Sequence, residues 1–283
     1  MSARRTLARP FSLTGIGLHS GERCRVEVQP APSGAGISFL VGSTVIPARP
    51  EQVVDTARCT AVGKDGVWIS TIEHLMAALA WMGVDDCVVA AQGPEVPVLD
   101  GSALPFVKEI REVGTKEAAA EAGLVTIEQP LWVQEEHTCI MALPGAGFSV
   151  TCLTDFPYPE LASRLVRVEP EAGAFEQELA PARTFGFDHE VEAVLKLGLA
   201  KGANLDNCLL IGQKGPSRPY RLPDEPTRHK LVDLLGDLAL LGAKLQGHVI
   251  AVRPSHRTNV RLAQIIAQAQ ARRRSRAGGR KHA

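Results

Sequence analysis

The sequence predicts an α+β protein made of two related domains, each a sheet packed with two helices, with an active site where the domains meet. Three observations lead there. Strand-like runs are mixed with two helical patterns in each half, not alternated one for one as in a doubly wound sheet. The segment opening at Glu73-His74 has a histidine in its first turn, an apolar run of about three turns, Gly83 suited to the position after a helix, and the strand Cys87–Ala91. The segment from His229 repeats this plan with an apolar run to Leu241, then Gly242, then the strand Val249–Val252. Upstream of each copy, PAPSGAGISF and LPGAGFSV both read as a glycine turn entering a strand. A duplication accounts for this better than chance, and two copies are too few for a solenoid.

The first domain is read as residues 1–115. It has strands near Arg25–Val28, Ile37–Leu40 and Val67–Ile69, the Glu73 helix, the Cys87 strand and a helix over Pro105–Val113. Residues 115–123, small and charged, read as a linker or a frayed helix end. The second domain, 124–271, opens at Leu124-Val125-Thr126-Ile127 and closes with a helix over Val260–Ala269. It carries a strand-helix-strand insertion at about 184–211, with the helix over Val191–Leu199 and a strand at Cys208–Ile211. Asp224 is an N-cap candidate for the later histidine helix, with Pro226 in its first turn. The tail 272–283 is basic and without acids; it reads as a disordered, solubilising end ahead of a contact for anionic lipid or RNA.

Composition narrows the function. A chain of 283 residues can bury two cores. Zero formal net charge and a pI of about 7.1 give no global argument for nucleic acid or an anionic membrane. The apolar runs are too short to span a bilayer, so no integral membrane segment is expected. Six scattered cysteines with no CxxC favour a reducing compartment over a disulfide framework. The N-terminus has basic residues but no apolar stretch behind them, so it does not read as a signal peptide. A cytoplasmic monomer is the expectation. GxGxxG and Walker loops are absent, which leaves Rossmann and P-loop nucleotide binding unsupported.

His229 and Asp233 lie four apart on one helical face, with Asp237 a further turn along. Such a pair by itself more often stabilises a helix than binds a metal. The second helix changes the balance. If the two domains face each other, His74, His229 and Asp233 form a three-ligand Zn²⁺ site whose fourth position is open to water, the catalytic arrangement. Glu73 beside a ligand can act as base, yet it also suits the positive end of a helix.

Several longer motifs carry a resemblance. They are TGIGLHSG (14–21), DTARCT (55–60), STIEHLMAAL (70–79), GPEVPVLDGSALPFV (93–107), ARTFGF (182–187), LDNCLLI (205–211), DEPTRHKLVDLLGDL (224–238) and PSHRTN (254–259). In this order, and nearly end to end, the chain resembles the UDP-3-O-acyl-N-acetylglucosamine deacetylases, zinc amidases of lipid A synthesis. The resemblance implies hydrolysis of the N-acetyl group of UDP-3-O-(3-hydroxyacyl)-N-acetylglucosamine, an acylated UDP-sugar, with release of acetate. It implies His74, His229 and Asp233 as zinc ligands, Glu73 as general base, and His256 as the cation across the site, oriented by Asp237. Thr184 would face the oxyanion; Lys230, Phe185, Phe156 and Arg253 would touch substrate. His19 either lines the site or satisfies its turn. The insertion would hold the acyl chain, with Leu195 and Leu199 on its wall. The chain departs from the family's pattern at Arg253, where lysine is usual, and in DFPYP, where Tyr158 replaces a histidine. Two rivals are a non-catalytic sugar-nucleotide or acyl-chain binder on the same fold, and another zinc hydrolase. The intact set Glu73, His74, His229, Asp233 and His256 argues against the former.

Overall fold

The structure, a computed structural model, describes residues 2–279. The first half runs β1 (Ala3–Leu7), β2 (Phe11–Ile16), β3 (Arg23–Pro30), β4 (Ile37–Val41), β5 (Thr44–Pro47), β6 (Val53–Asp55), β7 (Ala61–Lys64), β8 (Val67–Ile69), α1 (Glu73–Trp81), β9 (Cys87–Gln92) and α2 (Leu104–Val113). After β10 (Thr115–Glu121), the second half runs β11 (Leu124–Thr126), β12 (Leu131–Glu135), β13 (Thr138–Leu143), β14 (Phe148–Thr154) and β15 (Arg164–Val168). It continues through α3 (Ala172–Ala174), β16 (Phe185–Phe187), α4 (Val191–Lys196), β17 (Leu209–Gly212) and β18 (Gly215–Pro216). The last elements are α5 (Glu225–Ala239), β19 (Lys244–Val252) and α6 (His256–Gly279).

The duplication is visible in the strand order. One sheet is β2-β3-β9-β4-β5; the other is β12-β13-β19-β14-β15, with β11 added beside β19. In both, the strand following the histidine helix lies at the centre, antiparallel to one neighbour and parallel to the other. The registers match as well. Phe11, Val28, Val89, Phe39 and Ile46 form one cross-strand row, and Val133, Ile140, Ala251, Cys152 and Val166 form its counterpart. Both rows are buried along their whole length, as period-2 alternation requires of the face that meets the helices.

Helices α1 and α5 cross between the halves, and the apolar residues of both halves merge into one core. Helix α1 is buried from Glu73 through Leu79, which explains its nearly unbroken apolar sequence. The crossing is close because Gly236 has no side chain: a Cβ there would lie 2.1 Å from the Glu73 carbonyl oxygen. Gly83 and Gly242 follow their helices at φ +77° and +62°, the left-handed turn that ends a helix most easily at glycine.

Several expectations are corrected. Residues 115–121 are neither linker nor helix end but strand β10, antiparallel to β1. Their alanine-rich, charged composition has low strand propensity; the ladder comes from the partner. The insertion is not peculiar to the second half. The first half carries the sheet β6-β7-β8 where the second carries β16-β17-β18, between the fifth sheet strand and the histidine helix. Asp224 precedes α5 but makes no side-chain cap; it sits at φ +52° with its carboxylate 3.7 Å from Arg164. Helix α4 stops at Lys196, short of Leu199. Helix α6 continues through the basic segment to Gly279 in place of a disordered end from 272, and Arg280 and Lys281 lie outside the described residues. No described helix is long and apolar enough to cross a membrane.

Candidate active site

The α1–α5 crossing brings the predicted ligands together. Asp233 Oδ1 lies 3.6 Å from His74 Nε2 and 3.4 Å from His229 Nε2, and all three residues are buried. A tetrahedral ion with bonds of about 2.0–2.2 Å separates its ligands by roughly 3.3–3.6 Å, so these spacings suit zinc. Two further observations fit a cation. Among the described residues Asp233 Oδ1 is buried without a hydrogen-bond partner, a costly state unless something else neutralises it. His229 Nδ1 donates to the Ala182 carbonyl at 3.0 Å, leaving Nε2 with its lone pair toward the cluster. Burial drives the His229 pKa down to about 4, which keeps that lone pair free.

The other Asp233 oxygen accepts from Lys230 Nζ at 2.9 Å. Burial disfavours both charges, but each group outweighs it for the other: Lys230 is held above its ordinary pKa and Asp233 well below. Lys230 also lies 5.7 Å from the centre of the Phe185 ring.

Glu73 precedes His74 at the start of α1. Burial raises its pKa, with His256 and His74 pulling the other way. His256 begins α6, where Ser255 and Thr258 exchange capping hydrogen bonds. Its Nδ1 donates to Asp237 Oδ2 at 3.0 Å, and its Nε2 lies 4.0 Å from Glu73 Oε1 and 3.9 Å from Asp233 Oδ2. Burial works against the imidazolium, but Asp237 and Glu73 overcome it and lift the pKa to about 9.

These groups open on a cavity of about 480 Å³. Glu73, His74, His229, Asp233 and His256 share its wall with Thr184, Phe185, Lys230 and His19. Its far side is apolar, formed by Val191, Val194 and Leu195 of α4 with Leu205 and Leu210; Leu199 is not on this wall. Arg58, in the loop between β6 and β7 of the first half's small sheet, also lines it, so both insertions border the site. Asp237 stands behind His256. Phe156 and Arg253 are not brought into this cavity. They line an adjoining depression of about 320 Å³ that shares Lys230 and Pro254 with it. Tyr158 is buried against Phe187 and donates to Asp188 at 2.6 Å.

Sequence reasoning missed a supporting layer. Glu225, four residues before His229, is wholly buried; it accepts from the Arg183 backbone and guanidinium and from the Arg221 backbone. That pair fixes the segment supplying the Ala182 carbonyl and Thr184. Asn259 donates to Asp237 Oδ2 at 2.9 Å. Glu95 accepts from His19 and Ser20 of the TGIGLHSG turn and from Thr71, two residues ahead of α1. The step of four from 225 through 229 and 233 to 237 was a readable signal for Glu225; Arg183, Asn259 and Glu95 lie within the longer motifs, but no spacing assigned them a role.

A buried three-ligand set, a neighbouring carboxylate and a charged imidazole, all facing a partly apolar cavity, are the parts of a metal-assisted hydrolase. Sequence comparison gives the family. The family model described as UDP-3-O-acyl N-acetylglycosamine deacetylase matches residues 4–268. The UDP-3-O-acyl-N-acetylglucosamine deacetylase of Anaeromyxobacter dehalogenans is 41% identical over 261 residues, 90% of this chain and 84% of that protein. Those of a Nostoc species and of Thermosynechococcus vestitus are each 40% identical over 272 residues, which is 92% and 94% of this chain and 97% and 95% of theirs. The chain belongs to the UDP-3-O-acyl N-acetylglycosamine deacetylase family.

Proposed function

We propose that His74, His229 and Asp233 hold a catalytic Zn²⁺, and that this deacetylase hydrolyses the N-acetyl group of UDP-3-O-(3-hydroxyacyl)-N-acetylglucosamine, releasing acetate in lipid A synthesis. The observation that carries the metal assignment is the buried, unpartnered Asp233 Oδ1 within 3.6 Å of both histidine nitrogens. Zinc bound there supplies an electrophile that brings the pKa of water down to about 7 and polarises the amide carbonyl.

The remaining steps fall to the chain's own residues. Glu73 Oε1 takes the proton of the attacking water; its other oxygen is already engaged by the Thr60 N–H at 3.0 Å. The tetrahedral oxyanion is met by the His256 imidazolium and the Thr184 hydroxyl, and removal of one such donor typically costs about 3 kcal/mol. Asp237 keeps the His256 proton on Nδ1 and the second proton on Nε2, toward the cavity. The leaving amine receives its proton from Glu73 or His256, which both face the cavity and carry one after the first step.

The apolar wall around Leu195 supports a seat for the acyl chain, and Lys230 with Phe185 borders the reacting end. Arg253 and Phe156, in the adjoining depression, fit the polar sugar-nucleotide end. Six free cysteines among the described residues support a reducing, cytoplasmic setting. Metal analysis of the purified protein, with acetate release from acylated UDP-N-acetylglucosamine, tests this reading. Full turnover by zinc-free protein would overturn the metal assignment, and absence of acetate release by the zinc-loaded protein would overturn the substrate.

A further inference from the structure

Thr60 uses each of its hydrogen-bonding groups within the site's framework. Its N–H donates to Glu73 Oε2 at 3.0 Å, its hydroxyl donates to Asp237 Oδ1 at 2.6 Å, and its carbonyl accepts from the N–H of Ile72, the residue before α1. It is fully buried. The hydroxyl also lies 3.3 Å from His256 Nδ1. Since Nδ1 carries the proton given to Asp237, the hydroxyl oxygen meets that N–H as an acceptor while its own hydrogen is committed to Asp237 Oδ1.

We propose that Thr60 is a positioning residue that fixes Glu73 and the Asp237–His256 pair relative to each other. It acts through both and touches no substrate. The assignment rests on the reading of Glu73 and His256 as the acid–base groups. Glu73 stands on α1, Asp237 on α5 and His256 on α6, so their relative geometry spans both halves of the chain. Thr60, from the loop between β6 and β7, is bonded to the Glu73 and Asp237 carboxylates together. With Oδ1 taken by Thr60, and Oδ2 by Asn259 and His256, Asp237 has one orientation open to it. The His256 ring is thereby held with Nε2 toward Glu73. Losing such an outer-layer hydrogen bond typically lowers activity by roughly 10- to 100-fold. A carboxylate that swings affects the chemical step and not ground-state binding, so the loss belongs in kcat.

The test uses Thr60→Val, which keeps shape and backbone N–H but removes the hydroxyl, beside Thr60→Ser, which restores it. Thr60→Cys, filling similar space with a weak donor, serves if the valine variant does not fold. Expected are a fall in kcat of about 10-fold or more at unchanged KM for Val or Cys, recovery to within a few-fold for Ser, and unchanged zinc content and melting cooperativity. Parent-like kcat in the valine or cysteine variant, or equal loss in the serine variant, would overturn the proposal. So would loss of zinc, because Thr60 would then be supporting the ligands. Glu73→Gln measured in parallel separates the two levels: if it turns over at the parent rate, the acid–base reading itself fails, and Thr60 falls with it.

Discussion

Gly236 of α5 rests directly on the backbone of Glu73, close enough that a methyl group would lie 2.1 Å from the carbonyl oxygen and 3.0 Å from Cα. The residue next to a ligand on one helix is thus the floor on which the other helix sits. Alanine at 236 would gain about 1 kcal/mol of helix propensity, but relieving the clash requires α5 to move, at a typical cost of about 1–3 kcal/mol. Gly236→Ala is therefore expected to melt lower and to lose zinc affinity together with activity. Denaturation and metal titration read both; a variant as stable and as tightly metallated as the parent would mean the crossing relaxes freely.

His74→Ala and His229→Ala each leave two ligands. Both are expected to lose stoichiometric zinc and nearly all turnover while remaining folded, since the core around α1 and α5 does not depend on the imidazoles. Elemental analysis beside circular dichroism checks this.

Glu73→Gln keeps the size and the contact with the Thr60 N–H but cannot accept a proton. Zinc is expected to stay while the rate falls on the order of 10²–10⁴-fold. Loss of the metal in this variant would make Glu73 a ligand.

The His256 pKa of about 9 fixes the sign of a pH effect. The folded value is above the ordinary 6.5, so the stabilisation is fully present below pH 6.5 and is lost as pH rises through about 9. Turnover that needs the imidazolium declines over the same basic limb. A nearby divalent cation opposes the imidazolium charge, so the midpoint for stability is expected to lie higher in zinc-free protein than in loaded protein, and His256→Gln should abolish this component. Stability measured against pH on both forms is the check.

Leu195 is half exposed at the apolar side of the cavity. Leu195→Trp is expected to lower kcat/KM for the acylated substrate while sparing zinc and fold. Each methylene buried there is worth about 0.8 kcal/mol, roughly fourfold. Equal kcat/KM for acylated and unacylated UDP-N-acetylglucosamine in the parent protein would rule out an acyl seat.

Much of this arrangement was legible because it is written in helical periodicity. His229, Asp233 and the paired start at His74 follow from i,i+4 spacing and a repeated helix-glycine-strand plan, and the matching strand orders bear the plan out. What escaped was set by tertiary partners. The alanine-rich run 115–121 becomes a strand only beside β1. Thr60, Asn259 and Glu95 act through hydrogen bonds to residues distant in sequence, and a buried threonine or asparagine has no periodic signature. Lys230 lines the cavity, but its bond to the Asp233 carboxylate was not read from the sequence. Arg253 and Phe156, expected near substrate-binding positions, line the hollow next to the cavity.

The two facing helices also fix when the polar cluster can exist during synthesis. The ligand and carboxylate that the first half contributes are synthesised by residue 74, but the matching face arrives with residues 229–237 and the imidazole partner of Asp237 only with 256. The growing chain thus carries Glu73 and His74 without their counterparts until α5 is made. The nascent first half must therefore keep the edge of α1 covered or solvated until α5 emerges, and competence for chemistry waits for residue 256.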